Sequence, residues 1–156
     1  MDNSNYRILF VCHGNICRSP MAEFVMKELV RREGLSGSIF IDSAAVSYEE
    51  EGNGVYPPAR KTLSAHGIPF GEHFAHRLDD EEASSFDLII IMDSSNRRLI
   101  SRIISSENLK KVHMMMEYAP GERVRDVSDP WYTGDFESTY RDIVDGCKGL
   151  LAQLIR

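Results

Sequence analysis

The segment Val11-Cys12-His13-Gly14-Asn15-Ile16-Cys17-Arg18-Ser19-Pro20 joins an apolar run, Ile8-Leu9-Phe10-Val11, to a stretch from Met21 onward whose apolar residues recur at helical spacing. The pattern is a strand, a tight loop and the start of a helix. Such a loop turns several backbone N–H groups toward one point, where the positive end of the helix also points. Helix N-termini favour thiolate over thiol. Cys12 therefore reads as a nucleophile beneath a phosphate site, able to attack phosphorus and carry a cysteinyl-phosphate. Arg18, six residues on, offers a planar fork that can follow two phosphate oxygens into the transition state. Gly14 permits backbone conformations that other residues resist, and Asn15 tolerates left-handed geometry and can brace the loop through its amide. Ser19 can donate its hydroxyl to the thiolate. The loop is not a Walker loop, because Gly-Lys-Ser/Thr is absent.

Outward from this segment, apolar runs alternate with amphipathic stretches, which is the pattern of an α/β domain with a parallel sheet. The spacing predicts strands over Tyr6 to Val11, Ile39 to Ala44, Phe86 to Met92 and Lys111 to Met116. It predicts helices over Ser19 to Glu33, Pro58 to His66, Ser94 to Ser105 and Asp135 to Ile155. Ser19 with Pro20 reads as N-cap and first helical position, and Gly34 and Gly67 close two helices. Leu88-Ile89-Ile90-Ile91 is typical of a central parallel strand. Ile143, Val144, Cys147, Leu150, Leu151, Leu154 and Ile155 share one face of the last helix, so Cys147 reads as core. Tyr48 to Gly54 is a polar loop, and Glu117 to Gly134 is an irregular stretch holding Asp129-Pro130-Trp131-Tyr132. Right-handed crossovers place helices on both faces of a four-stranded parallel sheet, a three-layer α/β/α arrangement. The ligand site then lies at the carboxyl ends of the strands, where the Cys12 loop emerges.

Composition narrows the class of protein. With 156 residues and 42% hydrophobic content, one compact domain with a real core is expected. A net charge of −6, from 18 basic and 24 acidic residues, argues against nucleic-acid binding, which needs a basic face. No apolar run approaches a membrane span. Met1-Asp2-Asn3-Ser4-Asn5 is polar and lacks the charged-then-apolar pattern of a signal peptide. Three cysteines do not suit a disulfide scaffold and fit a reducing, cytoplasmic setting.

At Val11-Cys12, Gly14-Asn15 and Cys17-Arg18-Ser19-Pro20 the chain resembles the low-molecular-weight protein tyrosine phosphatases, whose signature is V-C-x-G-N-x-C-R-S-P. Asp129-Pro130-Trp131 is similar to their D-P-aromatic acid loop. Asp42-Ser43-Ala44, His66-Gly67-Ile68, His73-Phe74-Ala75 and Met92-Asp93 with Asn96 extend the similarity over essentially the whole chain, and Trp131 to Phe136 looks similar to bacterial members. The resemblance implies a flavodoxin-like fold in a single domain, residues 1–156. It implies a two-step hydrolysis of phosphotyrosine in protein substrates, with no cofactor and no metal. Cys12 takes the role of nucleophile, Arg18 of phosphate clamp and Asp129 of general acid. Inorganic phosphate or another oxyanion is expected in the loop, and a monomer with weak self-association in solution.

Chemistry supports the Asp129 role separately. The phenolate leaving group becomes basic in the transition state, and a carboxylic acid can protonate it. The acid must be protonated while Cys12 is ionised, so a bell-shaped pH profile is expected. Asp126 and Asp135 are rival acids nearby that read as solvated loop charges. The resemblance also implies that Cys17 can form a reversible disulfide with Cys12, with a packed thiol as the alternative. It implies that His73 braces the loop asparagine. Asp93 ends a buried strand near the site, where it binds a structural hydroxyl or caps the helix at Ser94.

Substrate choice follows from the cleft walls. Trp131, Tyr132 and Tyr48 are the candidate aromatic sides that favour phosphotyrosine, with His13 near the rim. A related branch that cleaves phosphoarginine has threonine at the position of Ile16, so isoleucine favours an aryl phosphate. The chain departs from the family at Ala45, usually glycine, at His13, usually leucine or threonine, and at the acidic run Glu49-Glu50-Glu51. Two rival readings are an arsenate reductase of the same fold and a non-catalytic phosphotyrosine-binding module. The first needs two further downstream cysteines, and only Cys147 follows Cys17. The second normally lacks the nucleophile or the acid, and both are here.

Overall fold

The protein is described by a computed structural model over residues 6–121 and 123–155. The polar segment 1–5, read above for a leader pattern, lies outside the described residues. The strands are β1 (Tyr6–Cys12), β2 (Ile39–Ala45), β3 (Leu88–Ile91) and β4 (Val112–Met114). The helices are α1 (Arg18–Arg32), α2 (Pro57–Ala65), α3 (Asp80–Ser84), α4 (Ser94–Ile100), α5 (Ser106–Leu109), α6 (Pro130–Thr133) and α7 (Phe136–Leu154). All strand pairs are parallel, in the order β2-β1-β3-β4. Register runs from Tyr6 beside Ile39 to Cys12 beside Ala45, with Ile8 beside Leu88 on the other side.

The alternation of side chains along β1 builds the layers. Ile8, Phe10 and Cys12 pack into one core with α1, α2 and α7, whose contributions include Met21, Val25, Leu63, Ile143 and Leu150. Leu9 and Val11 point the other way, into a second core with Leu78, Ala83, Ile100 and Ile104. Both faces of the sheet are therefore covered, and the expected three-layer α/β/α order is the one observed. The period of two also fixes which side Cys12 faces: the side of α1. Gly149 lets α7 seat against the chain after β4, since a Cβ there would lie 1.8 Å from the Tyr118 carbonyl oxygen.

Several element limits differ from the sequence reading, each for a local reason. Helix α1 starts at Arg18 with Cys17 as N-cap, and no side chain caps it. Ser19 is thus inside the first turn, its hydroxyl engaged elsewhere, and Pro20 occupies a first-turn position whose N–H would be unpaired anyway. The expected helix from Ser94 stops at Ile100, and a new one begins after Ser105, whose hydroxyl accepts from Asn108 N. Asp80 Oδ1 accepts from Ser105 N and Asn108 Nδ2 and so pins that junction. The fourth strand is only three residues long, because Met115–Glu117 turns into a 3-10 helix. Helices α3 and α6 are too short to show a period and rest on caps: Asp79 accepts from Glu82 N, and Asp129 accepts from Trp131 N.

Topology then positions the site. From β1 the chain crosses through α1 to β2 on one side, and from β2 it returns to β3 on the other. The carboxyl ends of β1 and β3 therefore flank the crevice where strand order switches, which is where open α/β sheets bind ligands. Cys12 ends β1, and Asp93 follows the end of β3. Val127 N donates to Met92 O at 2.8 Å, which ties the stretch carrying Asp129 to the same crevice.

Candidate active site

The loop from Cys12 to Arg18 is held from outside by its carbonyl groups. Cys12 O accepts from Val46 N, His13 O from Ser47 N and Ser47 Oγ, Ile16 O from Tyr56 N, and Cys17 O from Met21 N. Asn15 sits at φ 62°, the left-handed region that asparagine tolerates. With the carbonyls bonded outward, the N–H groups of His13, Gly14, Ile16, Cys17 and Arg18 find no acceptor among the described residues. All five residues line one cleft of about 150 Å³, together with Cys12, Asn15, Glu49, Glu50, Asp129, Trp131 and Tyr132. The arrangement gathers unpaired backbone donors at the N-terminus of a 15-residue helix, a geometry of the kind that favours anions.

Cys12 forms the floor. Its Sγ lies 3.0 Å from Ser19 Oγ and accepts from Asn15 N at 3.3 Å. Asn15 Nδ2 donates to Ser19 Oγ at 2.7 Å, which leaves the serine proton free to point at the sulfur. The same amide donates to Ser43 Oγ at 3.0 Å, and Ser43 Oγ donates to Glu23 Oε1 at 2.6 Å. Asn15 Oδ1 receives His73 Nε2 at 3.0 Å, as the resemblance implied for His73. His73 Nδ1 lies 3.5 Å from Glu23 Oε1, and burial lowers the histidine's pKa against the pull of that carboxylate. Glu23, Asp42 and His73 form a cluster of metal-ligand type, with ligand atoms within 4.8 Å of one another. It lies behind Asn15, outside the cleft, and Glu23 is already engaged by Ser43 and Lys27.

Arg18 is 2% exposed. Its Nη1 donates to Asp93 Oδ2 at 2.7 Å and to Val127 O at 2.9 Å, and its Nη2 lies 3.4 Å from Asp129 Oδ2. Burial alone would lower its pKa, but the charges of Cys12, Asp129 and Asp93 outweigh that and raise it. Asp93 also accepts from Asn96 N in a reciprocal capping box on α4. Asp93 thus does cap α4, and its second partner is the Arg18 guanidinium rather than a hydroxyl.

Of the expected walls, Trp131 and Tyr132 line the cleft, and Tyr48 does not. Arg77 Nη1 donates to the Tyr48 hydroxyl at 2.9 Å and its guanidinium sits over the ring, which holds Tyr48 at the surface away from the cavity. Tyr56 was missed; its ring lies 4.9 Å from that of Trp131 and backs the wall. Only the spacing of aromatics after the polar loop could have pointed to it. The rival acids are engaged elsewhere: Asp126 accepts from Ser94, and Asp135 caps α7.

All three cysteines are free. Burial pushes the Cys17 thiol up to about 12, with the neighbouring Cys12 and Asp129 charges adding to it. Burial also raises Cys147, whose Sγ faces the Ala22 carbonyl inside the core. A raised thiol stays protonated at neutral pH and reacts slowly. Iodoacetamide at pH 7 is therefore expected to modify Cys12 alone, and inorganic phosphate to slow that reaction. Peptide mass mapping that finds Cys17 labelled first would contradict the assignment.

A family model described as low molecular weight phosphotyrosine protein phosphatase matches residues 7–156. The chain belongs to this family. It is 36% identical over 147 residues to low molecular weight protein-tyrosine-phosphatase YfkJ of Bacillus subtilis, covering 94% of each chain. The crystal structure of YfkJ superposes with a TM-score of 0.94 at 35% identity, over 99% of this chain and 98% of that one. The human low molecular weight phosphotyrosine protein phosphatase is 37% identical over 150 residues, covering 92% of each chain. Among the described residues no helix is long and apolar enough to cross a membrane.

Proposed function

We propose that this member of the phosphatase family hydrolyses phosphotyrosine in protein substrates through a cysteinyl-phosphate. The observation that carries the reading is Cys12 Sγ at the floor of a cleft whose walls include Arg18 and Asp129. In the first step the Cys12 thiolate attacks phosphorus and the bond to the tyrosyl oxygen breaks. That oxygen leaves with the proton of Asp129. Arg18 and the free loop N–H groups take the charge on the equatorial oxygens. In the second step the Asp129 carboxylate takes a proton from water, whose oxygen attacks phosphorus. The S–P bond breaks, inorganic phosphate departs, and the returning sulfur anion is met by the Ser19 hydroxyl and Asn15 N–H.

The two rival readings lack support in the side chains. A reductase relay needs downstream thiols, and Cys147 is fully buried in α7. A pure binding module needs no acid facing the clamp. Ile16, 8% exposed and lining the cleft, supports an aryl rather than a guanidino phosphate. We place the protein in the cytoplasm, a reducing setting that suits its three free thiols.

The test is turnover of a phosphotyrosine peptide with and without a chelator, beside a phosphoarginine peptide. Activity that survives chelation and favours phosphotyrosine is expected. Strict dependence on a divalent ion sinks the mechanism. Asp129→Ala should lose about 10²–10⁴-fold in kcat on the phosphotyrosine peptide. It should also lose the alkaline limb of the pH profile, because that limb reports the acid losing its proton. A variant whose alkaline limb is unchanged would assign the proton to another group.

A further inference from the structure

Charge is distributed unevenly around the Cys12 cleft. Arg18 is the one arginine or lysine among the lining residues, while Asp129, Glu49 and Glu50 are carboxylates. Arg18 already faces Asp93 and Asp129. A phosphate dianion thus reaches its cradle past a mouth of its own sign.

The three consecutive glutamates of the loop after β2 have different positions. Glu50 is fixed at the lip. A Cβ on Gly14 would lie 3.2 Å from Glu50 Cγ, and Glu50 Oε2 accepts from Asn53 Nδ2 at 2.7 Å. Glu49 Oε2 lies 3.1 Å from Nε2 of His13, itself a phosphate-loop residue, and stays largely exposed at the mouth. Glu51 turns away, its Oε2 accepting from Arg77 N at 3.0 Å. Two of the three carboxylates therefore border the cleft, and the third is committed to the chain behind it. Trp131 and Tyr132, 53% and 84% exposed, line the same cleft.

We propose that Glu49 and Glu50 form a subsite for a basic residue, so that the enzyme selects phosphotyrosine flanked by lysine or arginine. The proposal rests on the phosphotyrosine reading above. A flanking cation offsets the repulsion that the dianion meets at the mouth, and it can lie against the aromatic faces of Trp131 and Tyr132. A flanking glutamate, or a second phosphotyrosine next to the first, adds to the repulsion instead.

The test uses two phosphotyrosine peptides of equal length, one with lysines and one with glutamates beside the phosphotyrosine, and p-nitrophenyl phosphate as a small control. At low ionic strength the lysine peptide should have the higher kcat/KM, by about tenfold, the product of two exposed charge pairs of a few-fold each. The ratio should fall toward unity at about 1 M salt, where screening acts within about 3 Å. The double variant Glu49→Gln with Glu50→Gln should lose most of the discrimination and take p-nitrophenyl phosphate with a lower KM. Glu51→Gln should keep the wild-type ratio. Equal rates on the two peptides, or full discrimination in the double variant, overturn the subsite while leaving the phosphatase intact. An enzyme inert toward both peptides and p-nitrophenyl phosphate overturns the phosphotyrosine reading itself.

Discussion

Replacing Cys12 with serine is expected to remove turnover while leaving the cleft able to bind. The loss should be at least about 10⁴-fold in kcat, the scale seen when a nucleophile is deleted from an organised site. A serine hydroxyl in the same place stays protonated at neutral pH, and its neighbours offer no base: Asn15 N only donates, and Ser19 Oγ is itself a neutral hydroxyl. The binding groups do not depend on the thiol. The loop carbonyls remain bonded to Val46, Ser47, Tyr56 and Met21, so the free N–H groups keep their direction. Cys12→Ser should therefore retain a phosphotyrosine peptide in calorimetry and give no burst of phenol in rapid mixing. Turnover near the wild-type rate would remove Cys12 from the nucleophile's role, whatever else holds.

What the sequence could reveal follows from the range of each interaction. The alternation Ile8-Leu9-Phe10-Val11-Cys12 fixes a two-sided strand and the face on which the sulfur lies, and all of that is local. The helix after the loop is equally local, through its apolar period. Ser19 reads both as a cap and as a donor to the thiolate, because its residue type suits either. Its real partner is a sulfur seven positions earlier, brought close only by the turn of the loop. Asp93 was legible as a cap on α4, yet its bond to Arg18 spans 75 positions and leaves no trace in spacing. Tyr48 and Tyr56 flank the same polar loop, and composition offers no choice between them. Arg77, 29 positions on, draws Tyr48 away, and Trp131 packs against Tyr56 with the two rings tilted by 55°. The short helices α3 and α6 hold too few residues for a period, so only their Asp caps could have marked them. The Cys12 loop and the Asp129 loop stand out in the sequence because their motifs are contiguous. Spacing alone shows none of the braces behind them, because they join segments far apart in the chain; His73 on Asn15 is reached only through the family resemblance.

Replacing Arg18 with alanine is the second large effect. A loss of about 10³–10⁵-fold in kcat/KM is expected, the worth of a guanidinium that stabilises a transferring phosphoryl group. Arg18→Lys should recover little of it. An ammonium is a point charge with no planar fork. It cannot hold Asp93 Oδ2 and Val127 O, as Arg18 Nη1 does, while presenting paired donors to phosphate. Asp93→Asn is the informative companion, because asparagine can still accept from Asn96 N at the head of α4 while the ionic hold on the guanidinium is gone. It should lose activity by less than Arg18→Lys, with its melting temperature close to wild type. The split between kinetic constants then separates two roles. If Arg18 only binds the ground-state dianion, KM rises and kcat stays. If the fork tightens on the phosphoryl group as the charge shifts, kcat falls with kcat/KM and KM moves little. The fixed, 2%-exposed guanidinium favours the second outcome, because a group already oriented and desolvated needs no rearrangement at the moment of transfer.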